Sequence, residues 1–82
     1  MIISKKEAKP LGDTTVNLFV KVERRLDLYS TTKTDRKGRF LFVPENGRYR
    51  LVVVSAEGQI LGRKEMTITD KQPKVNQEIM VD

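Results

Sequence analysis

Apolar residues recur two apart along most of this chain, and no stretch holds a helical period for long. Val16, Leu18, Val20 and Val22 share one parity, which places them on one face of an extended strand. Residues 48–55 repeat the pattern, with Tyr49, Leu51 and Val53 on one face and Arg50, Val52 and Val54 on the other. Phe40 and Phe42 pair up within residues 39–43, and Val75, Gln77, Ile79 and Val81 alternate with Asn76, Glu78 and Met80. Residues 26–34 are rich in Leu, Tyr, Thr and Ser, and Thr31, Thr32 and Thr34 are β-branched and suit a half-exposed pleated surface. Residues 59–69 carry Ile60, Met66 and Ile68, and residues 2–4 open the chain as a further short strand. Residues 21–28 could form two helical turns, but the extended patterns on both sides argue against it.

Turn signals punctuate these runs. They fall at residues 9–13, 23–25, 35–38, 46–47, 56–58 and 70–73. Asp35 can accept hydrogen bonds from amides two residues on, and Gly38 can take positive φ without steric cost. Pro44 cannot donate to a ladder and stops the strand before it; Asn46-Gly47 then turns the chain. Gly62 is a candidate bulge. About seven short strands separated by turns predict an all-β sandwich or barrel. The expected edge strands are residues 2–4 and the segment around Gly62.

The chain has 82 residues, enough for one domain with a thin core. With no cysteine there is no disulfide and no thiolate nucleophile, and with no histidine the serine–histidine and cysteine–histidine chemistries are excluded. The remaining carboxylates and lysines form no convincing convergent pair, so no catalytic residue and no cofactor is expected. Asp13, Asp35, Glu45, Glu57 and Asp70 fall in separate loops without the dense oxygen spacing of a calcium site, so no metal site is expected. Lys+Arg outnumber Asp+Glu by 16 to 11, giving +5. The basic residues are scattered among turns and strands, and read as solvated surface and gatekeeping charges rather than as a nucleic-acid footprint. No run is long and apolar enough to span a membrane, and the opening Met1-Ile2-Ile3 passes directly into Ser4-Lys5-Lys6-Glu7 rather than a signal peptide. Residues 1–82 read as a single domain. A complete cytoplasmic protein and a domain excised from a longer one both fit, and the strand-like residues at both ends favour the second.

Three blocks resemble the carboxypeptidase regulatory-like domain family. Lys9-Pro10-Leu11-Gly12-Asp13-Thr14-Thr15-Val16 is similar to its opening, and Thr34-Asp35-Arg36-Lys37-Gly38-Arg39-Phe40 to its Thr-Asp-x-x-Gly-x-Phe hairpin. Asn46-Gly47-Arg48-Tyr49-Arg50-Leu51-Val52-Val53 is similar to its Gly-x-Tyr-x-Leu-x-Val strand. The resemblance implies a seven-stranded Greek-key sandwich of the transthyretin (prealbumin) type, related to collagen-adhesin B-type repeats. It implies a non-catalytic spacer or docking module of a larger secreted or cell-envelope protein. One departure is Gln59, where the family places an aromatic after the glycine. Adhesin repeats of this kind also suggest an internal Lys–Asn isopeptide, with Lys5 or Lys21, Asn76, and Glu45 or Glu78 as candidates; turn chemistry and solvated charge are the preferred reading of these residues.

The remaining signal is apolar surplus. With Val16, Leu18, Val20, Phe40, Phe42, Tyr49, Leu51 and Val53 in the core, Phe19, Leu41, Val43, Val52 and Val54 face outward, as a candidate patch for a neighbouring domain, another protein or a second copy. Basic side-chain stems covering these residues explain them equally well. The alternative function is a small basic barrel that binds nucleic acid, with Arg36, Lys37, Arg39, Arg48 and Arg50 on phosphates and Tyr29, Phe40 or Phe42 stacking on bases.

Overall fold

The computed structural model describes residues 1–81, and those residues are all-β, with seven strands in two sheets. The strands are β1 (Ile2–Ser4), β2 (Lys9–Pro10), β3 (Thr15–Val22), β4 (Arg25–Lys33), β5 (Gly47–Val54), β6 (Ile60–Ile68) and β7 (Ile79–Val81). The larger sheet is antiparallel, in the order β4-β3-β5-β6. The smaller runs β2-β1-β7, with β1 antiparallel to β2 and parallel to β7. The molecule measures 36 × 25 × 17 Å. The short dimension suits two layers about 10 Å apart with side chains on the outer faces.

The period-two reading placed the core correctly. Val16, Leu18, Tyr49, Leu51 and Val53 are buried on the inner face of the large sheet, joined by Phe40, Phe42, Ile68, Val75, Ile79, Val81 and Ile2. Val20 packs against this cluster half-buried. Burying each such side chain stabilises the fold by roughly 1.5–3 kcal/mol. In a domain this small no other large term is available, since there is no disulfide.

Two expectations about the strands change. Residues 2–4 are not an edge: β1 lies between β2 and β7. Residues 39–43 are not a regular strand, and only Phe42 pairs, across an isolated antiparallel bridge to Val75. The turn at Asp35–Gly38 forms as the sequence suggests, but its outgoing arm leaves the large sheet and crosses to the other layer. Gly38 explains why. It has φ 74°, its carbonyl accepts the Ile2 amide at 2.7 Å, and a Cβ there would sit 2.7 Å from the Ile2 carbonyl oxygen. The backbones approach too closely for any side chain, and β1 captures the crossing segment at Gly38.

The crossing segment is tied back at its far end. The Tyr49 hydroxyl donates to the Glu45 carbonyl at 2.7 Å, and Tyr29 meets the Tyr49 ring edge-on at 5.4 Å. Burial raises the Tyr49 phenol above its ordinary pKa, with Tyr29 and Glu45 adding to the shift. Asn46 donates to the Asp70 carboxylate at 3.0 Å, so the turn before β5 is linked to the one after β6. At the opposite end, the Thr34 hydroxyl accepts the Thr14 amide and donates to the Leu11 carbonyl, which satisfies a buried polar side chain completely.

β3 and β4 are joined by the two-residue loop Glu23-Arg24, since Val22 pairs with Arg25. Glu23 adopts φ 57° there, a conformation that L-residues with a Cβ disfavour by roughly 1–2 kcal/mol. Glu23→Gly relieves that strain against a smaller gain in unfolded-chain entropy. The expected result in urea denaturation is a net stabilisation of about 0.5–1 kcal/mol; a loss of stability would show that the glutamate side chain holds the turn.

Candidate functional site

The outer face of the large sheet follows from its register. Beginning at the end nearest the Gly58 turn, the first row across β4-β3-β5-β6 is Lys33, Thr15, Val54 and Ile60. The next is Thr31, Asn17, Val52 and Arg63, and the third is Leu28, Phe19, Arg50 and Glu65. Leu26 stands opposite Lys21, and Arg48 opposite Thr67, beyond them. An apolar band therefore crosses the sheet diagonally, from Ile60 through Val54, Val52 and Phe19 to Leu28.

Both ends of this band depend on β-bulges. In β4 the pairing passes from Ser30 opposite Leu18 to Leu28 opposite Phe19, with Tyr29 skipped. In β6 it passes from Gly62 opposite Val53 to Ile60 opposite Val54, with Leu61 skipped. Counting by twos from the inward-facing residues of each strand, Ser30 and Thr32 in β4 and Met66 and Ile68 in β6, would put Leu28 and Ile60 inside. Each bulge inverts the phase and turns the side chain outward, leaving Leu28 59% and Ile60 54% exposed. The centre of the band is better covered: Val52 is 9% exposed and Phe19 and Val54 are half-buried among their neighbours. Arg63 stands opposite Val52 in the register, and Arg50 lies two residues along the same strand.

One flank of the band is basic. Among the described residues Lys21, Arg48, Arg50 and Arg63 lie there with the single carboxylate of Glu65. Glu65 accepts from Arg50 at 2.6 Å and lies 3.5 Å from the Lys21 ammonium. The Arg50 hydrogen bond holds its carboxyl below the ordinary pKa, outweighing an opposing effect of desolvation. Arg48 and Arg63 have no ion-pair partner among the described residues. A groove of about 360 Å³ runs between Lys21, Arg48, Glu65 and Thr67, and another of about 450 Å³ opens beside Ile60 and Arg63. The other flank is neutral: Thr31 donates to Asn17 at 2.6 Å, and Lys33 is drawn off toward Asp13 at 3.7 Å.

Of the patch read from the sequence, Phe19, Val52 and Val54 come together on this face. Leu41 and Val43 do not join them. They flank Phe42 on the crossing segment and are 54% and 65% exposed outside the large sheet. Leu28 and Ile60 were missed because a bulge leaves no mark in an alternation count, although Gly62 hinted at the second. The sheet edges are poor templates for strand addition. Each edge strand is bulged, and β6 places Lys64 on the core side opposite Leu51.

The other candidates resolve into structural roles. Phe40 and Phe42 are 7% exposed and cannot stack on bases, while Arg39 pairs with Asp35 and Arg50 with Glu65. Glu45 and Glu78 are exposed, and Lys21 lies on the outer face against Glu65, so no buried carboxylate serves the isopeptide arrangement. Among the described residues no group of three or more Asp or Glu could hold a metal ion. No helix among the described residues is long and apolar enough to cross a membrane. The sequence matches no protein-family model and no curated protein.

Asp35 is a turn residue with measurable consequences. Its carboxylate accepts the Lys37 and Arg39 amides, each at 2.9 Å, and the Arg39 guanidinium at 2.7 Å. The Arg39 amide, followed by the guanidinium and the Lys37 amide, holds its pKa below the ordinary value despite some desolvation. A depressed carboxyl contributes stability above the unfolded pKa and loses it as pH falls through the folded one. Asp35→Asn should therefore lower Tm at pH 7, and the difference from the parent should close on acidification below about pH 4. A difference that persists unchanged at low pH would assign the effect to something other than the charge.

Proposed function

We propose that this chain is a non-catalytic interaction module, a β-sandwich that docks or spaces parts of a larger protein. The observation that carries this reading is the pair of bulges that turn Leu28 and Ile60 outward, extending Phe19, Val52 and Val54 into one band across all four strands. Exposing two large aliphatic side chains forgoes their burial, and with the half-exposed Phe19 and Val54 they form apolar surface of the kind that marks interaction sites. The sequence blocks at residues 34–40 and 46–53, which resemble carboxypeptidase regulatory-like domains, support a Greek-key, transthyretin-like sandwich. The same resemblance favours a parent protein that is secreted or in the cell envelope. No residue in this reading carries a reaction.

The competing reading, a nucleic-acid-binding barrel, is weaker because two of its three stacking aromatics, Phe40 and Phe42, lie in the core, leaving only Tyr29 exposed at 45%, and two of its five cations are already paired. Labelled single- and double-stranded oligonucleotides, titrated at low and moderate salt with the oligomeric state recorded, separate the two. The expected result is a dissociation constant weaker than about 100 μM at 0.1 M salt. Micromolar binding that weakens steeply with salt would overturn the module reading in favour of phosphate recognition.

A further inference from the structure

We propose that the diagonal band binds an acidic amphipathic helix of a partner protein, apolar stripe on the band and carboxylates on the basic flank. This deepens the reading of the face as a docking surface and rests on it. From Ile60 to Leu28 the band crosses three strand spacings and about four residues along the strands, a diagonal of roughly 20 Å. A helix of about 13 residues covers that length, and its apolar side chains at i, i+3, i+4 and i+7 form a stripe of matching width. An open sheet face accepts a helix as a third layer. A strand has no comparable place to add, since both edges of the sheet are bulged and β6 carries its inward lysine.

The charge on the partner follows from the asymmetry of the flanks. Among the described residues Lys21, Arg48, Arg50 and Arg63 share only Glu65, and all four stand on the same side of the band. Arg48 and Arg63 are left to pair with an incoming carboxylate, one near each end of the flank. A second copy of this chain is a poor occupant. It would offer the basic flank either its own cations or the neutral Thr15–Asn17–Thr31 side, and the carboxylates described there, Glu65 and Asp13, are already paired with Arg50 and Lys33. An anionic lipid surface fits less well, because the cations lie on one side only and Glu65 would be pressed against the headgroups. Nucleic acid fits less well again, because Phe19 is the only aromatic in the band and is half-buried.

The test uses the intact chain and two labelled synthetic peptides of roughly 14 residues with an identical leucine stripe, one flanked by glutamate and the other by lysine. Binding is read by fluorescence anisotropy, and the site by amide chemical shifts. The glutamate peptide should bind with a micromolar dissociation constant, weaken as salt is raised, and shift amides of β3 and β5. The double variant Arg48→Glu/Arg63→Glu should weaken it at least about tenfold and reverse the preference between the peptides. Leu28→Ser/Ile60→Ser, at two exposed positions, should weaken both peptides while leaving the fold intact. Equal binding of the two peptides, no binding of the glutamate peptide, or shifts confined to the other sheet would overturn the proposal. Tighter binding to phosphatidylserine-containing vesicles would also overturn it. If the oligonucleotides bind, the module reading itself fails; if neither they nor the glutamate peptide bind, only the partner's chemistry is wrong.

Discussion

The antiparallel register between β3 and β5 is the constraint on which the rest depends. Val16 faces Val53, Leu18 faces Leu51 and Val20 faces Tyr49, so one side of the central pair is apolar throughout. Because side chains alternate with a period of two, a slip of one residue would exchange both faces at once. The same register that buries Leu18 and Leu51 presents Phe19 and Val52 to the outside. Core and candidate contact surface are therefore two consequences of one pairing, and neither can be altered in these strands without regard to the other.

The second layer is held by a few close approaches rather than by long ladders. β1 and β7 pair over three residues each, and β2 is shorter still. Gly38 lets the crossing segment lie against β1, and the Tyr49 hydroxyl holds its other end at Glu45. A Cβ at Gly62 would lie 3.0 Å from a Val81 methyl, so the two sheets also meet closely where β6 faces β7. A thin core of this kind tolerates little loss, which makes the outward placement of Leu28 and Ile60 more costly than it would be in a larger domain.

The sequence announced the central strands because their alternation is uninterrupted. Residues 16–20 and 49–53 were legible in both extent and facing, and so were the turn roles of Asp35 and Gly38. The failures have physical causes. Lys9 and Pro10 form a short strand where the proline signalled only a turn, because antiparallel pairing with β1 extends over just two residues. Residues 39–43 look like a strand but serve as a crossing segment with a single bridge, since Phe40 and Phe42 need alternation to reach the core but not a continuous ladder. The outer face was only half legible: its centre follows from parity, whereas its ends follow from bulges that depend on partner strands. Leu41 and Val43 share that parity yet lie off the large sheet, because parity gives the direction of a side chain and not the sheet it belongs to.

Adjacent substitutions on β5 test the division of faces most directly. Leu51→Lys and Val52→Lys place the same charge one residue apart, the first between the layers and the second on the outer face. Leu51→Lys should abolish cooperative unfolding, because an unpaired ammonium in the core costs several kcal/mol. Val52→Lys should retain a folded spectrum with a loss of about 1–2 kcal/mol, since its ammonium can extend to solvent past its neighbours. A folded Leu51→Lys beside an unfolded Val52→Lys would reverse the register, and with it both the core and the proposed contact surface.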